Sequence, residues 1–67
     1  MQLSARNQLA GAVKSVKLGA VMAEVVVDIG GREIVAEITK ASVERLGIKV
    51  GDAVTAIIKS TEVMIGK

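Results

Sequence analysis

The sequence contains no cysteine, histidine, proline or aromatic residue. Without cysteine there is no disulfide, and without cysteine or histidine the usual ligands of a structural zinc are missing. The same absences remove the Ser-His pair, the thiol nucleophile and the imidazole base of many enzymes. Stacking platforms for single-stranded nucleic acid are missing as well. We therefore expect neither an enzyme nor a protein that ligates a metal directly.

An excess of charge of one sign is also absent. Nine basic and seven acidic residues give a net charge of +2, which is too weak for the electrostatic footprint of a nucleic-acid binder. No apolar run approaches the roughly 20 residues of a membrane helix. Met1 is followed by Gln2, Leu3 and Ser4 rather than by the basic and then apolar stretch of a secretion signal. We expect a cytoplasmic protein that contacts neither nucleic acid nor a membrane.

What the chain does have is a large aliphatic fraction in a short sequence. Its 67 residues are 51% hydrophobic, and we expect one domain over residues 1–67. A chain of this size buries only about 60% of its unfolded surface, so disulfides, metals or oligomerisation usually reinforce it. With the first two excluded, the surplus of apolar surface indicates an interface. The sequence thus predicts a homo-oligomer.

Alternating hydrophobic residues punctuated by glycine predict an all-β fold. Period-2 patterns predict strands over residues 9–18, 21–29, 32–39, 53–59 and 63–65. Gly30-Gly31 predicts a two-residue hairpin turn, because both positions accept positive φ. Residues 42–46 predict a short helix that Thr39 or Ser42 caps and Gly47 ends. This order favours a five-stranded OB-like barrel with one short helix.

Two polar clusters carry the only chemistry that stands out. One is Ser4-Ala5-Arg6-Asn7-Gln8, and the other is Lys59-Ser60-Thr61. Each combines a cation with neutral donors and contains no carboxylate, a combination that suits an anion. Ser60 and Thr61 also suggest a tight turn with free N–H groups. From spacing alone, ordinary polar surface loops remain the favoured interpretation.

At these residues the chain resembles the Mop family, also called the molbindin or TOBE type of domain. The resemblance is carried by the SARNQ block at 4–8, by Gly11 and Val13, by residues 19–25, and by Ile58-Lys59-Ser60. It implies an OB-like fold that binds molybdate and often tungstate, without a cofactor, for storage and homeostasis in the cytoplasm. It also implies a homo-oligomer, a hexamer built as a trimer of dimers, with anions held between subunits.

The resemblance further implies which residues hold the anion. The family's main site joins an N-terminal block of one subunit to a Lys-Ser pair of its neighbour, with nearby backbone donors. The corresponding residues are Ser4, Ala5, Arg6, Lys59, Ser60 and Thr61. A second kind of site, near the family's threefold axis, relies on backbone groups and small hydroxyls. Its counterparts, a weaker assignment because Ala20 offers only its backbone, are Ala20, Val21, Met22 and Ser42.

Two alternatives remain open at this point. Residues 46–54 also resemble the swapped-hairpin DNA-binding factors of the AbrB type, although the chain lacks their proline and their basic N-terminal arm. Steeply salt-dependent retention on DNA would support that reading. The other alternative is a regulatory subunit of a molybdate transporter, in which the anion acts as a signal.

Overall fold

The computed structural model describes residues 1–67 and shows a single curled antiparallel sheet with one short helix. The elements are β1 (Asn7–Leu18), β2 (Met22–Asp28), β3 (Glu33–Thr39), α1 (Lys40–Leu46), β4 (Ala53–Ile58) and a 3-10 helix (Ser60–Glu62). The strand order is β3-β2-β1-β4, and every pairing is antiparallel. The all-β prediction is confirmed, but the sheet has four strands instead of five.

The long strand β1 connects the two halves of the sheet. Residues 7–12 of β1 pair with β4, and residues 12–18 pair with β2. The register with β2 shifts between Val13 and Ser15, so Lys14 is the extra residue of a β-bulge. After the bulge the inward face moves from Val13 to Val16, which packs against the core. Because a bulge bends and twists its strand, β1 can serve both halves.

The core is small and lies where β1, β2 and α1 meet. Its five buried residues are Val13, Ala23, Val25, Val27 and Val43. Gly11 marks the closest approach of β1 to β2, because a Cβ there would lie 2.4 Å from the carbonyl oxygen of Asp28. Alternate residues of β3 and β4, among them Ile38 and Val54, are half-buried around this core.

The hairpin between β2 and β3 has the predicted turn. Gly30 and Gly31 have φ values of 92° and 89°, a region that side chains with a Cβ rarely occupy. The N–H groups of these glycines donate to Oδ1 of Asp28 at 3.0 and 2.9 Å. These two hydrogen bonds, the one from Gly31 first, lower the pKa of Asp28 below its usual value.

The helix α1 is confirmed, and it begins two residues earlier than the predicted start at Ser42. Its N-cap is Thr39, whose Oγ1 accepts a hydrogen bond from the backbone N–H of Ser42 at 3.0 Å. Gly47, with φ 63°, ends it as predicted. With seven residues, α1 is far too short and too polar to cross a membrane.

The prediction of a fifth strand at residues 63–65 is wrong. The chain leaves β4 through the 3-10 helix and continues without a strand partner, and Met64 and Ile65 remain 91% and 89% exposed. A strand needs a neighbouring edge, and the chain does not return to one. Strands β3 and β4 are therefore the two free edges of the sheet. Val21, the first residue of the strand predicted over residues 21–29, is 70% exposed because it lies in the bend before β2.

Candidate functional site

Strand pairing brings the two predicted polar clusters to one end of the sheet. Asn7, the first residue of β1, is opposite Ile58, the last residue of β4. The block Ser4-Ala5-Arg6 comes just before this pair and the block Lys59-Ser60-Thr61 just after it. Both blocks of one chain therefore lie at the same end of the β1–β4 pair. We call this region the β1–β4 end.

Two side chains hold the β1–β4 end in place. Nδ2 of Asn7 donates to the carbonyl oxygen of Ile58 at 3.1 Å, which joins the start of β1 to the end of β4. Nε2 of Gln8 donates to the carbonyl oxygen of Ala5 at 2.7 Å, which folds the N-terminal block back on the strand. Sequence reasoning counted these amides among the neutral donors of their cluster but did not assign them to the site. The signal was present, because both belong to the SARNQ block.

Apart from these two amides, the side-chain donors of the β1–β4 end are unused within the chain. The side chains of Ser4, Arg6, Lys59 and Ser60 are exposed and make no hydrogen bond. The only ion pair of the structure joins Lys14 to Glu33, so neither Arg6 nor Lys59 is neutralised.

The 3-10 helix adds two backbone donors to this set. The N–H groups of Ser60 and Thr61 donate to nothing, because the first turn of the helix is closed by the N–H of Glu62 on the carbonyl oxygen of Lys59 at 2.9 Å. The predicted tight turn with free N–H groups is thus present. A set of two cations, hydroxyls and amide N–H groups attracts an acceptor with negative charge.

Exposure limits what one copy of this end can do alone. Water and salt screen exposed charges, with a Debye length of about 8 Å at physiological ionic strength. Only Ala5 among the six assigned residues is half-buried. A tight site here requires a further surface that excludes water. No group of three or more Asp or Glu side chains is arranged to hold a metal ion.

The second predicted cluster also comes together, near the other end of β1. The backbone N–H of Lys40 donates to the carbonyl oxygen of Val21 at 2.8 Å, and Met22 is opposite Thr39. These contacts set the Ala20-Val21-Met22 turn beside the start of α1, where Ser42 is half-buried. The hydroxyl of Thr39 donates to Oγ of Ser42 at 2.8 Å. The structure therefore places the backbone of Lys40, a residue that sequence reasoning did not name, beside this cluster.

The chain is similar to known proteins over nearly its whole length. A family model described as TOBE domain matches residues 3–65. The molybdenum-pterin-binding protein 2 of Clostridium pasteurianum is 54% identical over 66 residues, which cover 97% of this chain and 97% of that protein.

Two solved structures are similar over most of the chain. A molybdate binding protein from Sporomusa ovata has a TM-score of 0.95 and 46% identity, with all of both chains covered. The molybdate-bound form of the cytoplasmic molybdate-binding protein ModG has a TM-score of 0.84 and 46% identity, covering 90% of this chain and 43% of that chain. At these identities the likeness extends to sequence as well as to fold.

Proposed function

Because this chain belongs to the TOBE-domain family of Mop, or molbindin, proteins, we propose that it binds molybdate, and tungstate by the same chemistry. It acts as a binding protein rather than an enzyme, in a single domain over residues 1–67, for storage and homeostasis of the anion in the cytoplasm. The observation that carries this proposal is the β1–β4 end, where two cationic blocks meet with their donors unused.

The ligand follows from the donor set. Molybdate at neutral pH is a deprotonated tetrahedral dianion that accepts hydrogen bonds and offers none. The charges of Arg6 and Lys59 balance it, and Ser4 and Ser60 supply directed hydroxyl donors. Hydrogen phosphate carries a proton that a carboxylate would accept best, and none of the six assigned residues is a carboxylate. Sulfate is also a pure acceptor but smaller, so the size of the cavity must discriminate against it.

The names of the Clostridium relatives couple molybdenum to a pterin. A pterin is a flat aromatic ring system that proteins commonly hold by stacking. This chain has no aromatic side chain and its assigned residues are small or cationic. We therefore take the inorganic oxyanion as the ligand.

The main site is completed between two copies of the chain. Its residues are Ser4, Ala5 and Arg6 of one copy with Lys59, Ser60 and Thr61 of a neighbour in a homo-oligomer, a hexamer built as a trimer of dimers. What supports this is the exposure of all the charged donors in one copy. A covering copy excludes water, and the lower dielectric strengthens each interaction. Ala20, Val21, Met22 and Ser42, now with Lys40, form a second and weaker site.

Titration calorimetry with sodium molybdate tests the proposal. Each charge-assisted hydrogen bond contributes about 1.5–3 kcal/mol, so Arg6→Ala and Lys59→Ala each weaken binding by roughly ten- to 150-fold. Arg32→Ala is the matched control, because Arg32 is exposed beside the hairpin turn and belongs to neither site block. Parent-like molybdate binding by both site variants would refute the assignment.

Competition experiments separate the ligands. Tungstate should displace molybdate, whereas sulfate and phosphate at the same concentration should not. Retention on DNA that falls steeply with salt would instead favour the DNA-binding alternative. The full-length likeness to molybdate-binding proteins does not favour that alternative or the transporter subunit.

A further inference from the structure

We propose that Gln8 is a specificity-determining residue of the oxyanion site. Its amide fixes the peptide between Ala5 and Arg6 so that an N–H group, and not a carbonyl oxygen, is presented to the anion. This role rests on the proposed function, because it concerns which oxyanions the β1–β4 end accepts. Gln8 acts through the backbone and is a positioning residue.

The six residues that precede β1 are held by a single hydrogen bond. None of them takes part in a backbone–backbone hydrogen bond. The one hydrogen bond that reaches them runs from Nε2 of Gln8 to the carbonyl oxygen of Ala5, at 2.7 Å. Gln8 itself is fixed in the sheet, where it lies opposite Ile57 of β4. Among hydrogen bonds, Gln8 alone therefore sets the direction of the Ala5 carbonyl.

The peptide unit couples this carbonyl to the N–H of the next residue. The unit is planar and trans, so its C=O and N–H bonds point in opposite directions. Because the oxygen of Ala5 is turned toward the amide of Gln8, the N–H of Arg6 is turned away from it. That N–H donates to nothing within the chain. Arg6 thus offers a free backbone donor in addition to its guanidinium, and Gln8 fixes the direction of that donor.

The second cationic block has the same arrangement. The carbonyl oxygen of Ile58 accepts from Nδ2 of Asn7 at 3.1 Å, and the N–H of Lys59, in the same peptide unit, donates to nothing. Each site cation therefore follows a peptide whose oxygen is held by a side-chain amide. The two blocks differ in one respect, because Ile58 is also paired with Asn7 in the β-ladder, whereas Ala5 lies outside the sheet. Only the Ala5 peptide depends on its amide alone.

The direction of the Ala5–Arg6 peptide decides which anions are stabilised. An N–H group stabilises a fully deprotonated oxyanion such as molybdate, tungstate or sulfate. A carbonyl oxygen in its place would repel the same anion, but it would accept the proton of hydrogen phosphate. By occupying the oxygen of Ala5, Gln8 removes an acceptor that hydrogen phosphate could use. The amide therefore favours anions without a proton, independently of the size of the cavity.

Sulfate and hydrogen phosphate isolate this effect. Both are tetrahedral dianions of nearly the same size, and only hydrogen phosphate carries a proton. Cavity size, which separates molybdate from sulfate, does not separate these two anions. Their relative affinity therefore reports the balance of donors and acceptors that the site presents.

Displacement of molybdate by each of the two anions, followed by calorimetry at constant ionic strength and mildly alkaline pH, tests the role of Gln8. Sulfate should displace molybdate from the parent at a lower concentration than hydrogen phosphate does. Gln8→Leu has a side chain of similar size that cannot donate, so the affinities for molybdate and sulfate should each fall about tenfold, the equivalent of one hydrogen bond to a charged group. The affinity for hydrogen phosphate should not fall, so the preference for sulfate over hydrogen phosphate should also decrease about tenfold.

Two further variants separate a role in specificity from a structural one. Gln2→Leu is the matched control, because Gln2 is exposed and makes no hydrogen bond, and it should leave every affinity unchanged. Gln8→Lys keeps a donor that can reach the carbonyl oxygen of Ala5. Its added charge should strengthen the binding of all three anions, but the parent's preference for sulfate over hydrogen phosphate should be retained. Circular dichroism should be the same for all variants, because Gln8 is exposed.

Equally reduced affinity of Gln8→Leu for all three anions would mean that Gln8 only stabilises the N-terminal block, and the proposal would be overturned. A parent-like preference between sulfate and hydrogen phosphate in Gln8→Leu would overturn it as well. In both cases molybdate binding by the parent would still support the proposed function. A parent that binds no molybdate would instead refute the proposed function, and the role of Gln8 with it.

Discussion

The two ends of the long strand β1 differ in how many of their polar groups have hydrogen-bond partners and how many of their apolar residues are buried within the chain. Around the bulge, β1, β2 and α1 bury five aliphatic residues, and the hairpin glycines and the helix cap all have partners. At the β1–β4 end, cations, hydroxyls and backbone N–H groups lack partners, and an apolar segment lies in solvent. The region around the bulge, which we call the complete region, stabilises the fold. The β1–β4 end presents the groups that can bind an anion or another copy.

The largest loss of stability should follow a substitution in the complete region, at Gly11. Gly11→Ala places a Cβ at 2.4 Å from the backbone oxygen of Asp28, a contact that only a shift of the strand can relieve. Overpacking of this kind should lower the free energy of unfolding by about 3 kcal/mol in urea denaturation. Gly66→Ala is the control, because a Cβ there meets nothing within 4 Å. Equal stability of the two variants would show that β1 and β2 are not so closely packed.

A smaller loss is expected at the helix cap. Thr39→Ala removes the oxygen that accepts from the backbone N–H of Ser42, which should lower the free energy of unfolding by about 1 kcal/mol. Molybdate affinity at the β1–β4 end should not change. Thr55→Ala, at an exposed position of β4, provides the comparison for the loss of a threonine methyl and hydroxyl without a cap. A change in affinity with Thr39→Ala would mean that the two ends are coupled.

For Asn7, in contrast to Thr39, we expect a substitution to change molybdate affinity. Asn7→Ala deletes the hydrogen bond to the carbonyl oxygen of Ile58 that fixes the start of β1 to the end of β4, and so positions the block that each copy contributes to a shared pocket. A hydrogen bond of about 1 kcal/mol corresponds to roughly a fivefold weaker molybdate affinity. Asn7 acts through its neighbours rather than on the anion, so the preference between anions should be unchanged, with tungstate and molybdate affinities weakened by the same factor. A variant that loses one anion and keeps the other would contradict a positioning role.

The smallest effect concerns the hairpin carboxylate. The N–H groups of Gly31 and Gly30 lower the pKa of Asp28, so the ionised form stabilises the fold above the unfolded pKa of about 3.9. This contribution disappears as the pH falls through the still lower pKa of the folded state. Asp28→Asn should therefore be slightly less stable than the parent at neutral pH and equal to it in strong acid. Thermal unfolding of both proteins from neutral pH to strong acid would measure this difference in stability. A difference that grows as the pH falls would show that the ionised carboxylate is not what stabilises the turn.

The sequence predicted the elements whose signals are local. The alternation in β2 and β3, the Gly30-Gly31 turn and the Gly47 helix end depend on neighbouring residues only, and each is present in the structure. The bulge at Lys14 was missed, since a single extra residue leaves no period of its own. The strand at 63–65 was wrong because alternation shows that a segment can form a strand without showing that an edge is available within the chain.

The candidate site shows the same limit. The SARNQ and Lys-Ser blocks were named from residue type and resemblance, and the pairing of Asn7 with Ile58 brings them to one end. The amide bonds of Asn7 and Gln8 and the approach of Lys40 to Val21 depend on contacts between distant segments. No pattern along the chain records such contacts, so the positioning roles of Asn7 and Gln8 and the place of Lys40 emerged only from the fold.

The most direct test of the account is a complementation experiment on the shared oxyanion site. Arg6→Ala and Lys59→Ala chains, each defective alone, are unfolded together, refolded as mixed oligomers and titrated with molybdate. If each pocket joins Arg6 of one copy to Lys59 of another, random mixing restores about one quarter of the sites with parent affinity. If mixing restores none, the two cations do not act together from different copies, and the central claim is contradicted.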